Sequence, residues 1–178
     1  MNSPTDARNA SSWPQPATAW GLDLLSGGGI AVLADRSGRV IERVERPAPP
    51  RADQSAPRRP VSTCLGSEES LLLWISAPIA SVQKAVRVFP SLLDIQLPFP
   101  IESCEARFLA IRRTPERTTK ALAVAARIET IKRRIETCRA AGWDPLIIDH
   151  EGLALWTRAL AERPLAAGRM RVLAGLYP

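Results

Sequence analysis

The run RPAPPRADQSAPRRPVS, residues 46–62, constrains this chain more than any other stretch. Each of its five prolines lacks a backbone N–H and holds φ fixed, so the run sustains neither a helix nor a central strand. It is read as a linker, with a short ordered block before it and a longer one after it. Ahead of the first block, residues 1–19 have the Ser-, Pro-, Asn- and Ala-rich composition of a disordered tail. They lack the basic start and apolar centre of a secretory signal, which predicts a cytoplasmic chain. No uninterrupted apolar run approaches the roughly 20 residues that a membrane-spanning helix needs.

Residues 20–45 read as a β-meander. WGLDLL and GGIAVLAD are short strands, DRSGR is a turn, and RVIERVE is a partly buried edge carrying Val40, Ile41 and Val44. In the longer block, LLLWISAP (71–78) is a buried-strand candidate. VQKAVRVFP (82–90) alternates at Val82, Lys84, Val86 and Val88 and stays ambiguous between strand and helix. SLLDIQL (91–97) reads as a short helix capped by Ser91, with Leu92, Leu93 and Ile95 on its apolar side. Pro98 and Pro100 end it, because proline forces the residue before it into extended geometry.

CEARFLAIRR and KALAVAAR follow as strands of a hairpin joined through TPERTT. IETIKRRIETCRAAG places Ile128, Ile131, Ile135 and Cys138 on one helical face, with Glu129–Arg133 and Lys132–Glu136 as pairs four apart. Gly142 is its left-handed cap and Pro145 its stop. PLIID is a short buried strand, and GLALWTRALAER a last helix with Leu153, Trp156 and Leu160 together. The succession of strands and helices is an α/β (α+β) layer architecture.

Chemistry-bearing residues are sparse. Cys64, Cys104 and Cys138 are odd in number and far apart, which argues for buried free thiols over disulfides or a zinc site. The lone histidine, His150, lies between Asp149 and Glu151. Adjacent residues on an extended segment point to opposite faces, so the three do not converge, and His150 reads as a loop residue between strand and helix. The net charge of +6 is carried by scattered arginines with no interleaved aromatic platform. That disfavours nucleic acid and favours a solvated basic surface suited to anionic lipid or an acidic partner.

The order of SLLDIQLPFPIE, CEARFLAIR, KALAVAAR, IETIKRRIETCRAAGWDPLIID and EGLALWTRAL resembles the actin-like pilus-assembly and secretion-platform proteins PilM and, more distantly, GspL. The resemblance covers residues 71–160, about half the chain. It implies a partial actin-like, ribonuclease H-like fold with an inserted strand-helix-strand-strand interaction subdomain. The divisions are then a tail (1–19), a core meander (20–45), the linker (46–62), the subdomain with its return to the core (63–163) and a C-terminal extension (164–178). Pro98, Phe99 and Pro100 become a structural corner of the subdomain. WGLDLLSGGGIAVLAD is similar to the first phosphate-binding hairpin of actin-like ATPases, which implies Asp23 as the carboxylate on the Mg²⁺ side and Ser26, Gly27, Gly28 and Gly29 as the loop. Glycines there let backbone N–H groups approach a phosphate. Family members place a glycine two residues after the aspartate, where this chain has Leu25, and the second actin-like half is not in the sequence.

The function this implies is a non-catalytic scaffold or adaptor of a type IV pilus or type II secretion-like inner-membrane platform. It would bind a short cytoplasmic segment of a membrane-anchored partner, with a homo-oligomer as a further option, and lie peripheral to the membrane, with no cofactor required. Two alternatives remain open at this point. One is an actin-like ATPase half that binds ATP and Mg²⁺ when another chain completes it. The other is a ribonuclease H-like, metal-dependent nuclease using Asp23 and Asp149.

Overall fold

A computed structural model describes residues 17–25, 28–48, 59–163 and 166. Residues 1–16 of the expected tail, most of the linker and all of the C-terminal extension but residue 166 lie outside the described residues, while Thr18 and Ala19, expected in the tail, are strand residues paired with Asp35 and Ala34. In chain order the elements are β1 (Thr18–Leu25), β2 (Gly28–Asp35), β3 (Val40–Glu45), β4 (Val61–Leu65), β5 (Ser70–Ala77), α1 (Val82–Asp94), a 3-10 turn (Ile101–Ser103), β6 (Cys104–Arg113), β7 (Thr119–Arg127), α2 (Ile128–Ala140), β8 (Ile147–His150) and α3 (Glu151–Glu162).

The strands form a five-stranded sheet ordered β3-β2-β1-β4-β8 and a three-stranded sheet ordered β5-β7-β6. In the first, β1, β2 and β3 are an antiparallel meander, while β4 runs parallel to β1 and β8 parallel to β4. Parallel neighbours need a crossover that lies against the sheet. Between β4 and β8 that crossover contains the whole small sheet and then α2, so the small sheet is an insertion in the larger one.

Alternation decides which face of the large sheet is covered. Trp20 and Leu22 of β1, Ala31 and Leu33 of β2, and Val61, Thr63 and Leu65 of β4 are all buried, at every second position. Cys138 of α2 and Trp143 pack into the same cluster. The end of α2 delivers that tryptophan. Gly142 is left-handed at φ +79°, its N–H donates to the Arg139 carbonyl at 2.8 Å, and the Trp143 N–H donates to the Cys138 carbonyl at 2.9 Å. This is a Schellman turn. It aims the Trp143 ring edge-on at Trp20 of β1, with centroids 5.6 Å apart.

Strand β4 is absent from the sequence reading, which ran the linker to residue 62. The Val61, Thr63, Leu65 alternation is short and follows Pro60 directly, so the proline-rich context hid a central strand. Val40 and Ile41 of β3 are exposed, leaving Val44 as that strand's residue on the core.

The other correction concerns α1. It starts at Val82, nine residues before the expected start at Ser91, and Ser81 is the cap, its hydroxyl accepting from the Lys84 N–H at 3.5 Å. Ala85, Phe89 and Leu93, four apart, are its buried positions. The alternating valines that resembled a strand lie on the wet side of this helix; Val88 is 36% exposed. Pro90 sits inside the helix. An interior proline costs about 3 kcal/mol, the same order as burying Phe89 or Leu93 contributes.

After α1 the chain turns through Pro98, Phe99 and Pro100. The Asp94 carboxylate accepts from the Ile101 N–H at 3.1 Å, Phe99 packs against the small-sheet cluster, and the Arg127 guanidinium lies 4.7 Å from the centre of its ring. Phe89→Ala should destabilise the protein by about 3–5 kcal/mol and Val88→Ala by less than about 1 kcal/mol, measured by urea unfolding. Equal losses would contradict the helical register from Val82.

Candidate functional site: strand ends and the groove between the sheets

Two places on the large sheet are candidates. The first is a polar row on the face opposite Trp20, Leu22 and Thr63. Cys64 and Asp149 are register partners, and because Leu22 pairs with Thr63, Asp23 stands next to Cys64 on that same face. Burial pushes the Cys64 thiol up to about 11, helped by the negative charges of Asp149, Asp23 and Glu151. The row is therefore a neutral thiol between carboxylates. Asp23 and Asp149 are two strand spacings apart, about 9–10 Å.

Of the residues assigned to a phosphate loop, Ser26 and Gly27 lie outside the described residues, and Gly28 and Gly29 open β2. Gly29 has a packing reason to be glycine: a Cβ there would stand 2.7 Å from the Asp23 carbonyl oxygen and 2.9 Å from a Leu24 methyl. The described residues of the row offer carboxylates and a protonated thiol to a nucleotide, and no cation. The row by itself therefore supplies no hydrogen-bond donor to a phosphate other than the Cys64 thiol. Among the described residues no three His, Cys, Asp or Glu side chains stand together as metal ligands.

The second place is a groove of about 230 Å³ where the small sheet meets the core. Its floor is the face of the small sheet opposite α1, carrying Glu105, Arg107, Leu109, Val124 and Ala126. Its far wall is made by Ile131 of α2, Ile148 to His150 of β8 and Leu153 of α3, with Leu65 and Ser70 at the junction. The lining is mainly aliphatic, with the Arg107–Glu105 pair at 2.8 Å along one side. Asp23 and the β2 glycines do not line it.

His150, read from sequence as a loop residue, is the buried last residue of β8 and caps α3. Its Nδ1 accepts from the Gly152 N–H at 2.9 Å. A Cβ on Gly152 would come within 3.1 Å of that ring.

The groove holds its shape because the β4–β5 turn is clamped from both helices. The Ser67 N–H and hydroxyl donate to the Glu151 carboxylate at 2.9 and 2.6 Å. The Glu69 carboxylate receives Arg134 at 2.7 Å and Arg133 at 3.5 Å. Arg133 thus reaches across to Glu69 instead of pairing with Glu129 along its own helix. Burial raises the Glu69 carboxyl, but the two guanidiniums outweigh it and hold it below the usual 4.5. Sequence reading missed both the groove and the clamp, since neither shows until the insertion folds back on the core.

No protein family matches the sequence, and no curated protein matches it either. Among solved structures the chain is similar to the cytoplasmic domain of EpsL, an inner membrane component of the type II secretion system of Vibrio cholerae. The TM-score is 0.56 at 16% identity, covering 77% of this chain and 58% of that one. It is also similar to a chain of the PilM-PilN type IV pilus biogenesis complex, with TM-score 0.60 at 23% identity, covering 85% and 53%. The chain spans a little over half the length of both. The likeness shows the fold: a mixed α and β actin-like architecture, as the sequence resemblance implied.

In the unfolded chain the Cys64 thiol ionises near 9.0 and in the fold near 11. Stability should accordingly hold up to about pH 9 and decline from there towards pH 11, and Cys64→Ala should flatten that decline in thermal melts. Glu69→Gln should cost about 1.5–3 kcal/mol by removing charge-assisted bonds. Because the Glu69 carboxyl is lowered in the fold, its contribution is present above about pH 4.5 and lost on acidification. The acid limb of the stability curve should therefore be shallower in the variant.

Proposed function

We propose that this chain is a non-catalytic scaffold or adaptor of an inner-membrane assembly platform of the type IV pilus or type II secretion kind. It acts by protein–protein contacts, receiving a short cytoplasmic segment of a membrane-anchored platform protein. The observation that carries this reading is the open, aliphatic groove on a fold shared with the EpsL cytoplasmic domain and with a component of the PilM-PilN complex. An extended segment rises about 3.3 Å per residue and turns alternate side chains to one side. The groove suits a segment with apolar residues at alternate positions, set between the aliphatic wall and the Arg107–Glu105 edge.

A second reading is an actin-like ATPase half completed by another chain. In its favour, the parallel strands bring Asp23 and Asp149 to one face. The ribonuclease H-like nuclease draws on the same pair. The first requires a phosphate to be held beside a row whose described members supply no cation, and the second a metal where no third ligand stands with the pair among the described residues.

Val124→Glu, which places a charge on the groove floor, should weaken co-purification with the platform protein's cytoplasmic segment at least tenfold. Val88→Glu, on the wet face of α1, should leave it unchanged. Equal retention of the partner by both variants would overturn the groove assignment. Calorimetric titration with ATP and Mg²⁺ should give no saturable heat. Saturable binding abolished by Asp23→Ala would replace the scaffold reading with the ATPase one.

A further inference from the structure

Beyond the groove, the free face of the small sheet continues outward in register. Trp74, Leu122 and Leu109 make one row, and Ser76, Lys120 and Arg112 the next. Trp74 is 53% exposed, and the Arg112 guanidinium lies 5.3 Å from the centre of its ring. Past that row the β6–β7 hairpin ends in Arg113 and Arg117, also exposed. The Thr119 hydroxyl donates to the Ile79 carbonyl at 2.6 Å, which ties the segment before α1 to this same end. Four cations, Arg112, Arg113, Arg117 and Lys120, thus share the end of the hairpin with one carboxylate, Glu116. Among the described residues none of the three tip arginines is held in an ion pair.

A backbone irregularity builds this arrangement. β6 slips by one residue between Leu109 and Arg112, and Ala110 there has φ +48°, a conformation that disfavours a side-chain-bearing residue. Strict alternation from Leu109 would put Ile111 on the free face and Arg112 against α1. The bulge reverses them: Ile111 packs into the small-sheet core and Arg112 joins Lys120 beside Trp74.

We propose that this tip is a contact site for an anionic phospholipid membrane surface, made by the protein directly and separately from its partner groove. Exposed cations clustered at the hairpin end, with an exposed tryptophan one row behind, match what an anionic headgroup layer attracts and what an indole does at its boundary. The groove lining stops at the Leu109 row, so the Arg112 and Lys120 row lies beyond it. With this few cations and one indole the contact is weak and salt-sensitive, and it adds to anchorage through a partner.

The test is sedimentation of the full chain with vesicles of phosphatidylcholine containing phosphatidylglycerol, beside vesicles of phosphatidylcholine alone. Binding is expected on the anionic vesicles only and is lost at high salt. Arg113→Gln with Arg117→Gln should weaken it by about 25-fold, roughly fivefold per cation. Arg43→Gln with Arg139→Gln removes equal charge from the large sheet and α2 and should weaken it less than about twofold. The blue shift of tryptophan emission on vesicle addition should vanish in Trp74→Phe. Equal binding to both kinds of vesicle, equal loss in the two double variants, or retention of a soluble Glu-rich peptide by the tip without vesicle binding would each overturn the proposal. The tip variant should keep its binding of the partner segment, so failure here and failure of the groove reading give different results.

Discussion

The carboxylate of Glu69 decides where the small sheet stands. It sits on the turn that carries the chain out of the large sheet, from β4 into β5, and it is held by Arg134 at 2.7 Å and Arg133 at 3.5 Å from the helix that carries the chain back. The Arg134 and Glu69 side chains are 17% and 20% exposed, so water screens this pair less than the surface pairs elsewhere, and removing one partner strands the other partly buried. Ser67, two residues earlier, is tied to Glu151 at the head of α3. Exit and return of the insertion are thereby fastened to both helices that border the groove, and the groove is as rigid as that clamp.

Within each sheet, single backbone positions determine what faces where. Gly142 at φ +79° ends α2 in a turn that swings Trp143 onto Trp20, closing the large core at its helix end. Ala110 at φ +48° exchanges an isoleucine for an arginine on the free face of the small sheet. Glycine is the residue expected at the first position. At the second, a strained alanine is compensated by burying Ile111 and by the Arg112–Trp74 contact.

The sequence made the regular elements visible where polar and apolar residues keep one period for several turns. The meander, both strands of the β6–β7 hairpin, α2 with its glycine cap, and α3 all stand within a residue or two of where periodicity put them. It failed where period and propensity disagreed. In α1 the β-branched valines fall on the wet side, so their spacing imitated a strand while Ala85, Phe89 and Leu93 carried the helix. In β4 five residues beside a proline-rich run gave too short a pattern to detect. The candidate site was less visible still. His150 was assigned to a loop and became a buried cap, and the groove is assembled from β6, β7, α2, β8 and α3, whose proximity depends on the Glu69 clamp. What could be seen in advance was the hairpin with Asp23, and there the one described glycine with a geometric requirement, Gly29, is explained by contact with Asp23 and Leu24 of the neighbouring strand.

The free face of the small sheet has a direction. Near the core its rows are Ser70, Ala126 and Glu105, then Leu72, Val124 and Arg107; farther out come Trp74, Leu122 and Leu109, then Ser76, Lys120 and Arg112. From first row to last is about 20 Å at strand rise. The face thus passes from a walled end, where Glu105 is paired with Arg107, through the apolar Trp74 row to a basic row unpaired among the described residues. A segment leaving a membrane that meets the basic tip would cross the Trp74 row and reach the groove within about six extended residues. Its tether would then be short, and a short tether raises the effective concentration at the second contact. If both proposed contacts form on one face, each would raise the effective concentration for the other, so the two together would hold the protein at a membrane more tightly than either alone.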